Sequence, residues 1–448
     1  MGANLANAFA RDLGYEVRVV SFFKSGATPF YPLDSRVSCV YLCNNPAKGK
    51  NALINLFNKT LFRAWLCFKA HRFATQSDII LANDGWFVPL FRDSNSSLRG
   101  ESNANESSLR GEAEAIHESK MDCHEFDKSN SRNDKKARFF VRLWHINAPK
   151  RARQKLRLFD ALVILSEREM GRWQRYHSNV KVIPNFLPTI PQVSTNHSQK
   201  VVLSVGRMSS EKGFLRLLDI WKMVQTKIID CHDSALPNLA MTGGESLLRG
   251  ESNAHESSLQ NSTKYATFSS LRGEAEAIHE SKMDCYEFDK SNSRNDGVEN
   301  DLNEWKLIIV GDGVLKSEIE SKIRALNLGE SVLLKPFTKD IGSEYLGASI
   351  YAMASHFEGF PMVLLESTAY GLAPISFDIA TGPSDIIKNN KSGFLIADND
   401  LESYANHLIK LMSDENLRAQ FGAESRKIVR ENFSKEVIME KWRKLLEI

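Results

Sequence analysis

Ser355-His356-Phe357-Glu358-Gly359-Phe360-Pro361-Met362-Val363-Leu364-Leu365-Glu366 decides how this chain of 448 residues is read. Proline has no N–H to leave unpaired and its φ is already helical, so a helix is predicted to start near Pro361 with that residue at its first position. Glu358 then stands just before the helix and Glu366 about a turn and a half inside it. Between them the unpaired N–H groups of the first turn, such as those of Met362 and Val363, form an anion site. Carboxylates that accept hydroxyl hydrogen bonds, next to amides that hold phosphate, describe a receptor for a sugar nucleotide.

Outward from this stretch the chain alternates strand and helix. Apolar, β-branched runs occur at Glu16–Ser21, Val37–Leu42, Asp78–Ala82, Phe139–His145, Ala161–Leu165 and Val180–Ile183. A second series follows at Val201–Val205, Lys306–Val310, Ser331–Leu334, Ser349–Met353, Ala373–Phe377 and Phe394–Ile396. Such alternation implies parallel sheets covered by helices on both faces, twice over. Ser166-Glu167-Arg168-Glu169 reads as a capping box that opens a helix. The expected division is 1–185, a Pro- and Ser-containing linker at 186–199, 200–433, and a last amphipathic helix within 434–448.

Two segments do not fit the alternation. Leu109–Asp134 recurs as Leu271–Asp296 with only His124 exchanged for Tyr286, and Leu98–Ala104 recurs as Leu248–Ala254. Two copies do not make a solenoid. Their Ser, Asn, Glu and Arg richness reads as disordered insertions, at 94–134 and 245–298, which add little loop-closure cost to the fold they interrupt.

Composition is that of an ordinary globular protein, with 42% hydrophobic and 25% charged residues. No apolar run approaches the roughly 20 residues needed to span a bilayer. The six cysteines, Cys39, Cys43, Cys67, Cys123, Cys231 and Cys285, form no metal-ligand or disulfide framework, which points to a reducing, cytoplasmic setting. The net charge of +3 hides a polarity: residues 1–185 hold 29 Lys and Arg against 18 Asp and Glu, a balance of +11, and the rest hold 29 against 37, or −8. Lys150-Arg151-Ala152-Arg153-Gln154-Lys155-Leu156-Arg157 carries part of that excess. The helical segment from Asn51 to Phe73 mixes Lys59, Arg63, Lys69 and Arg72 with Leu56, Phe57, Leu61, Phe62, Trp65, Leu66 and Phe68. Its apolar face is expected to pack on the sheet with its charges in water; the competing use is contact with an anionic bilayer.

The opening stretch resembles the Glu-x7-Glu motif of retaining glycosyltransferases with the two-domain GT-B fold, glycosyltransferase family 4. A second segment agrees: Val201-Val202-Leu203-Ser204-Val205-Gly206-Arg207-Met208-Ser209-Ser210-Glu211-Lys212-Gly213 is similar to that family's strand, Gly-Arg and Glu-Lys-Gly run. Ile309-Val310-Gly311-Asp312-Gly313, Ile183-Pro184-Asn185 and Thr381-Gly382-Pro383-Ser384-Asp385-Ile386-Ile387 agree more weakly. The resemblance implies two Rossmann-like domains facing a central cleft, with the last helix crossing back to the first domain. It implies transfer of a hexose or N-acetylhexosamine from a nucleotide sugar, a uridine diphosphate sugar by preference, to a glycan or lipid-linked envelope acceptor at the inner membrane, and no nucleic-acid partner.

By the same resemblance Arg207 and Lys212 contact the donor diphosphate, and Glu366 accepts hydrogen bonds from ribose hydroxyls. Glu358 faces the transferred sugar, and His145, in Trp144-His145-Ile146-Asn147, faces it from across the cleft. Gly206, Gly311 and Gly313 shape the loops beside the nucleotide; Gly359, Phe360, Met362 and Val363 complete the donor site. No metal or other cofactor is expected, since cationic side chains and helix ends take the place of a divalent ion in this scheme. Asp398-Asn399-Asp400 spells the Asp-x-Asp of metal-dependent sugar transferases but precedes a helix near Leu401, so it is read as a helix cap.

One departure bears on activity. The chain opens at Met1-Gly2-Ala3-Asn4-Leu5-Ala6-Asn7-Ala8-Phe9, which reads as the first helix, whereas family members place a strand and a glycine-rich loop before it. Either the true start lies upstream or the first domain is damaged. A non-catalytic remnant that at most binds nucleotide sugar therefore stands as the alternative. A sugar-nucleotide epimerase of the same fold ranks below both, because that group lacks the combination of Gly-Arg, Glu-Lys-Gly and Glu-x7-Glu.

Overall fold

The computed structural model describes residues 2–24, 32–44, 61–74, 77–83, 139–143, 155–234 and 302–446. The repeat insertions, His145 and residues 150–154 of the basic run lie outside the described residues. Each predicted strand run forms a strand; the last two residues of Phe139–His145 are outside the description.

The N-terminal half opens with helix α1 (Gly2–Asp12), strands β1 (Val17–Lys24) and β2 (Val37–Asn44), helix α2 (Leu61–Ala74) and strand β3 (Ile79–Ala82). It continues with β4 (Phe139–Leu143), β5 (Ala161–Ile164), the single-turn helix α3 (Met170–Trp173) and β6 (Val180–Val182). β1 and β2 pair in parallel, with Val17 opposite Val37. β3, β4, β5 and β6 form a second parallel sheet in that order. Side chains join the two sheets. Val20 of β1 shares a core with Leu42, Leu66, Ala70, Ile80, Ala82, Phe140 and Phe159, and Val17 shares another with Leu81 and Val141.

The C-terminal half holds β7 (Val201–Val205), α4 (Phe214–Ser234), β8 (Lys306–Val310), α5 (Lys316–Ala325), β9 (Val332–Lys335), α6 (Ile341–Leu346) and β10 (Ile350–Met353). These are followed by α7 (Met362–Ala369), β11 (Ala373–Asp378), the one-turn α8 (Pro383–Ile386), β12 (Phe394–Ala397), α9 (Leu401–Ser413), α10 (Glu415–Phe433) and α11 (Lys435–Leu446). Its sheet is six-stranded and wholly parallel, in the order β12-β11-β10-β7-β8-β9. Strands run outward in sequence on both sides of β7 and β10, so the switch point falls between these two. β10 and β11 are buried along most of their length, as a parallel strand under helices must be.

α11 lies against the N-terminal half. Its Ile438, Met439, Trp442 and Leu445 are buried with Leu5, Ala8 and Phe9 of α1. The Phe9 and Trp442 rings meet edge-on with centroids 5.5 Å apart, and Lys435 Nζ reaches Asp12 Oδ1 at 3.1 Å.

Two local expectations are corrected. Pro361 occupies the capping position of α7, not its first helical residue: its ψ is 89°, and its carbonyl receives the N–H groups of Leu364 and Leu365. Contact with Gly382 pins the ring there, since a Cβ on that glycine would lie 2.4 Å from Pro361 Cδ. Ser166 has the extended backbone of a cap, but its side chain makes no capping bond, and Glu167–Glu169 form a 3₁₀ turn before α3. Glu169 turns to Arg172 at 3.8 Å, so the reciprocal box does not close.

Candidate functional site

The site is built where β7, β8 and β10 end, beside the switch point. After β7 the Gly206 N–H donates to the Val310 carbonyl of β8 at 3.0 Å, and the Met208 N–H donates to the Asp312 carbonyl at 2.9 Å. The β8 loop must then lie on the β7 loop backbone to backbone. A Cβ on Gly311 would come within 1.9 Å of the Gly206 carbonyl oxygen, and one on Gly313 within 2.4 Å of that of Met208. The structure brings Gly206, Gly311 and Gly313 together by this packing. Arg207 stands exposed between them at the end of β7.

A 3₁₀ turn at Ser210–Lys212 ends on Gly213, whose φ of 66° is left-handed and whose position leaves no room for a side chain against the Ala354 carbonyl. This turn aims Lys212 at the β10–α7 loop. Lys212 Nζ donates to Glu358 Oε1 at 2.6 Å, and Ser355 Oγ donates to the same oxygen at 2.8 Å. The Thr381 hydroxyl donates to the Glu358 carbonyl, and the His356 N–H donates to the Glu211 carbonyl at 2.8 Å. Glu358 is thus buried at 8% exposure with its charge matched, its carbonyl held by Thr381 and the turn before it tied to Glu211 through His356.

Within α7 the N–H groups of Met362 and Val363 have no protein acceptor among the described residues. These free donors at the start of α7, four and five residues beyond Glu358, are what a helix start offers an anion. Glu366, further along, accepts from Tyr345 Oη at 3.1 Å. Burial raises its pKa above the ordinary carboxylate value, and the Tyr345 hydrogen bond opposes that rise. Gly359 is half-buried. The Phe360 side chain is 7% exposed and packs on Phe433 with ring centroids 5.7 Å apart.

Arg216 is a further part of the site that the sequence did not reveal. From α4 its Nε donates to the Ala354 carbonyl at 2.7 Å and its Nη2 to that of Ser355 at 2.5 Å, the two residues leading into the Glu358 turn. Its Nη1 reaches Asp398 Oδ1 at 2.8 Å and Asn399 Oδ1 at 2.9 Å, and its guanidinium lies over the Phe377 ring at 4.1 Å. The available signal was a charge on an apolar helix face, between buried Phe214 and Leu217. Asp398 is therefore a partner of Arg216. Asp400 caps α9 by accepting the Ser403 N–H, which is the capping reading of the Asp-x-Asp.

Two parallel α/β halves, with cationic side chains, carboxylates and helix-start amides at the strand ends of the second, make up a two-domain GT-B architecture. Residues 295–428 match the family described as glycosyl transferases group 1. The amylovoran biosynthesis glycosyltransferase AmsD of Erwinia amylovora is 37% identical over 142 residues, 32% of this chain and 40% of that protein. An uncharacterized glycosyltransferase of Haemophilus influenzae is 32% identical over 290 residues, 64% of this chain and 61% of its own length. The matches thus span less than two thirds of these relatives. In fold the chain is similar to the Anabaena HepE crystal structure with UDP and glucose, at a TM-score of 0.56 and 14% identity, covering 100% of this chain and 96% of that one.

Proposed function

We propose that the protein is a retaining glycosyltransferase that moves a hexose or N-acetylhexosamine from a UDP-sugar to a glycan or lipid-linked acceptor of envelope polysaccharide synthesis. The observation that carries this reading is the buried Glu358, held by Lys212 and Ser355, four residues before the start of α7, whose Met362 and Val363 N–H groups have no acceptor among the described residues. As the glycosidic bond breaks, negative charge collects on the departing diphosphate, and fixed cations and oriented amides lower the barrier most where that charge develops. Arg207, Lys212 and the start of α7 supply them. Glu358 accepts from sugar hydroxyls and Glu366 from the ribose, and the family resemblance gives His145 a role toward the transferred sugar.

Retention follows from a same-face displacement. The acceptor oxygen bonds to the anomeric carbon as the bond to the diphosphate oxygen breaks, and the acceptor proton passes to the departing phosphate. No resident metal enters this scheme. A UDP donor is supported by the HepE complex with UDP and glucose, and a polysaccharide acceptor by the named role of AmsD.

Among the described residues no helix is long and apolar enough to cross a membrane. We place the protein at the cytoplasmic face of the inner membrane, supported by the basic N-terminal half and by α2. Leu66 and Ala70 of α2 pack inward as the sequence led one to expect, while Trp65 and Phe68 are 44% and 60% exposed beside Lys69 and Arg72.

The test is incubation with radiolabelled UDP-sugars and inner-membrane extract. Transfer of label by the wild type that Glu358→Ala abolishes supports the reading. Equal, negligible transfer by both folded proteins would sink it.

A further inference from the structure

The segment from Asp378 to Asp385 touches both the N-terminal half and the Glu358 turn. At one end Arg168, in the 3₁₀ turn after β5, grips Asp378 with both prongs of its guanidinium: Nη1 to Oδ1 at 2.6 Å and Nη2 to Oδ2 at 3.0 Å. At the other end the Asp385 carboxyl accepts the Gly382 N–H at 3.3 Å and faces the Glu167 backbone of the same turn. Leu165, just before that turn, shares a core with Ile386 and Ile387.

The middle of the segment belongs to the site. The Thr381 hydroxyl holds the Glu358 carbonyl. Gly382, with a φ of 99°, packs so tightly on Pro361 that no side chain fits. A shift of the segment that leaves β11 at Asp378 therefore reaches the Glu358 turn through two close contacts, Thr381 with the Glu358 carbonyl and Gly382 with Pro361. Arg168 is the group through which the N-terminal half holds Asp378.

The magnitudes favour placement over stability. The Arg168 and Asp378 side chains are 45% and 33% exposed, and ion pairs so open to water contribute about 0–1 kcal/mol to folding. A two-pronged Arg–carboxylate pair nevertheless fixes direction as well as distance. Transfer between groups held by two halves of a protein is sensitive to displacements of about 1 Å.

We infer that Arg168 and Asp378 are positioning residues that set the N-terminal half against the Glu358 turn, through Thr381 and Gly382. The kinetic part of this inference rests on the proposed transfer reaction; the structural part does not.

The experiment is a double-mutant cycle of Arg168→Met, Asp378→Asn and the pair, read in two ways on the full chain. Hydrogen exchange by mass spectrometry follows peptides covering 378–387 and 355–366. Each single variant is expected to speed exchange in both peptides, and the double variant to do no more than either. Faster exchange confined to 378–387, or singles whose effects add in the double, would overturn the coupling. In transfer assays each single is expected to lower kcat about tenfold and the double by a similar factor, with the donor KM within about twofold, since a lost transition-state placement appears in kcat. Losses that multiply to about a hundredfold, or a rise in KM alone, would overturn the kinetic part. If the wild type transfers no sugar, the proposed reaction fails while the exchange data still decide the structural coupling.

Discussion

Lys212 and Glu358 are joined at 2.6 Å, from loops at the ends of β7 and β10, with Ser355 Oγ on the same carboxylate oxygen. A half-buried ammonium is therefore already paired with a buried carboxylate. In the proposed reaction the donor diphosphate would share Lys212 with Glu358, which would free Glu358 to meet sugar hydroxyls.

Glu358→Ala is accordingly expected to cut sugar transfer by about a hundredfold or more while changing the Kd for UDP by no more than about threefold. On the proposed reading, Lys212 would still hold the diphosphate and Glu366 the ribose. Isothermal titration with UDP beside a transfer assay checks both halves. A UDP affinity that collapses along with activity would mean that Glu358 supports the nucleotide site as a whole.

Arg216 leads to a stability prediction. Its loss strands the Ala354 and Ser355 carbonyls in a buried place and removes the cation facing Asp398. Unsatisfied buried groups of this kind cost about 1–3 kcal/mol each, so Arg216→Met is expected to destabilise the fold by about 2–4 kcal/mol. Arg216→Lys, with a single point charge in place of a planar fork, should recover only part of that. Urea unfolding midpoints measure the difference.

What was legible in the sequence, and what was not, follows from how far apart the deciding atoms lie along the chain. Gly206, Gly311 and Gly313 were readable because close backbone packing after a strand leaves glycine as the residue that fits. Glu358, Lys212 and Glu366 were readable through motifs whose spacing is local to one turn or one helix start. Arg216 was not, because its partners at Ala354 and Asp398 are 138 and 182 residues away. The Arg168–Asp378 pair, 210 residues apart, was hidden for the same reason. The Phe360 side chain, next to Glu358 in sequence, is buried against Phe433, a contact 73 residues away that the sequence alone does not show. Pro361 itself was placed one position too far into the helix, because its contact with Gly382 is tertiary.

Glu366 carries a pH dependence whose sign is fixed by burial. Its folded pKa is raised above the ordinary carboxylate value, so the folded state holds that proton more tightly than the unfolded chain does. The stabilisation is fully present below the unfolded value and is lost as pH rises through the folded one. At neutral pH the wild type therefore folds with a charge that burial disfavours. Glu366→Gln is expected to raise the Tm of the ligand-free protein at about pH 7, and the advantage should vanish near pH 4, where both side chains are neutral. Affinity for UDP should move the other way, falling about tenfold as a charged acceptor of ribose hydroxyls is lost. Thermal melts at the two pH values, with and without UDP, check the pair of opposite effects.

The outer face of α2 makes the last prediction. Leu66, at 0% exposure, and Ala70 anchor the helix on the core. Trp65 and Phe68 stand on the opposite side, and the Lys69 ammonium lies 3.9 Å from the centre of the Trp65 ring. An exposed aromatic pair with cations at the same level suits the boundary between lipid headgroups and acyl chains. Each Lys or Arg near an anionic surface contributes about 1 kcal/mol, an attraction that salt screens. Binding to vesicles rich in anionic lipid is expected to exceed binding to neutral vesicles about tenfold and to weaken as salt is raised. Replacing Trp65 and Phe68 together by Ser should lower that binding by about tenfold, because apolar insertion is lost. Unfolding midpoints should hardly change, since neither side chain is in the core. Co-sedimentation with vesicles of the two compositions measures the effect, and a double variant that binds as well as the wild type would leave the basic residues alone as the membrane contact.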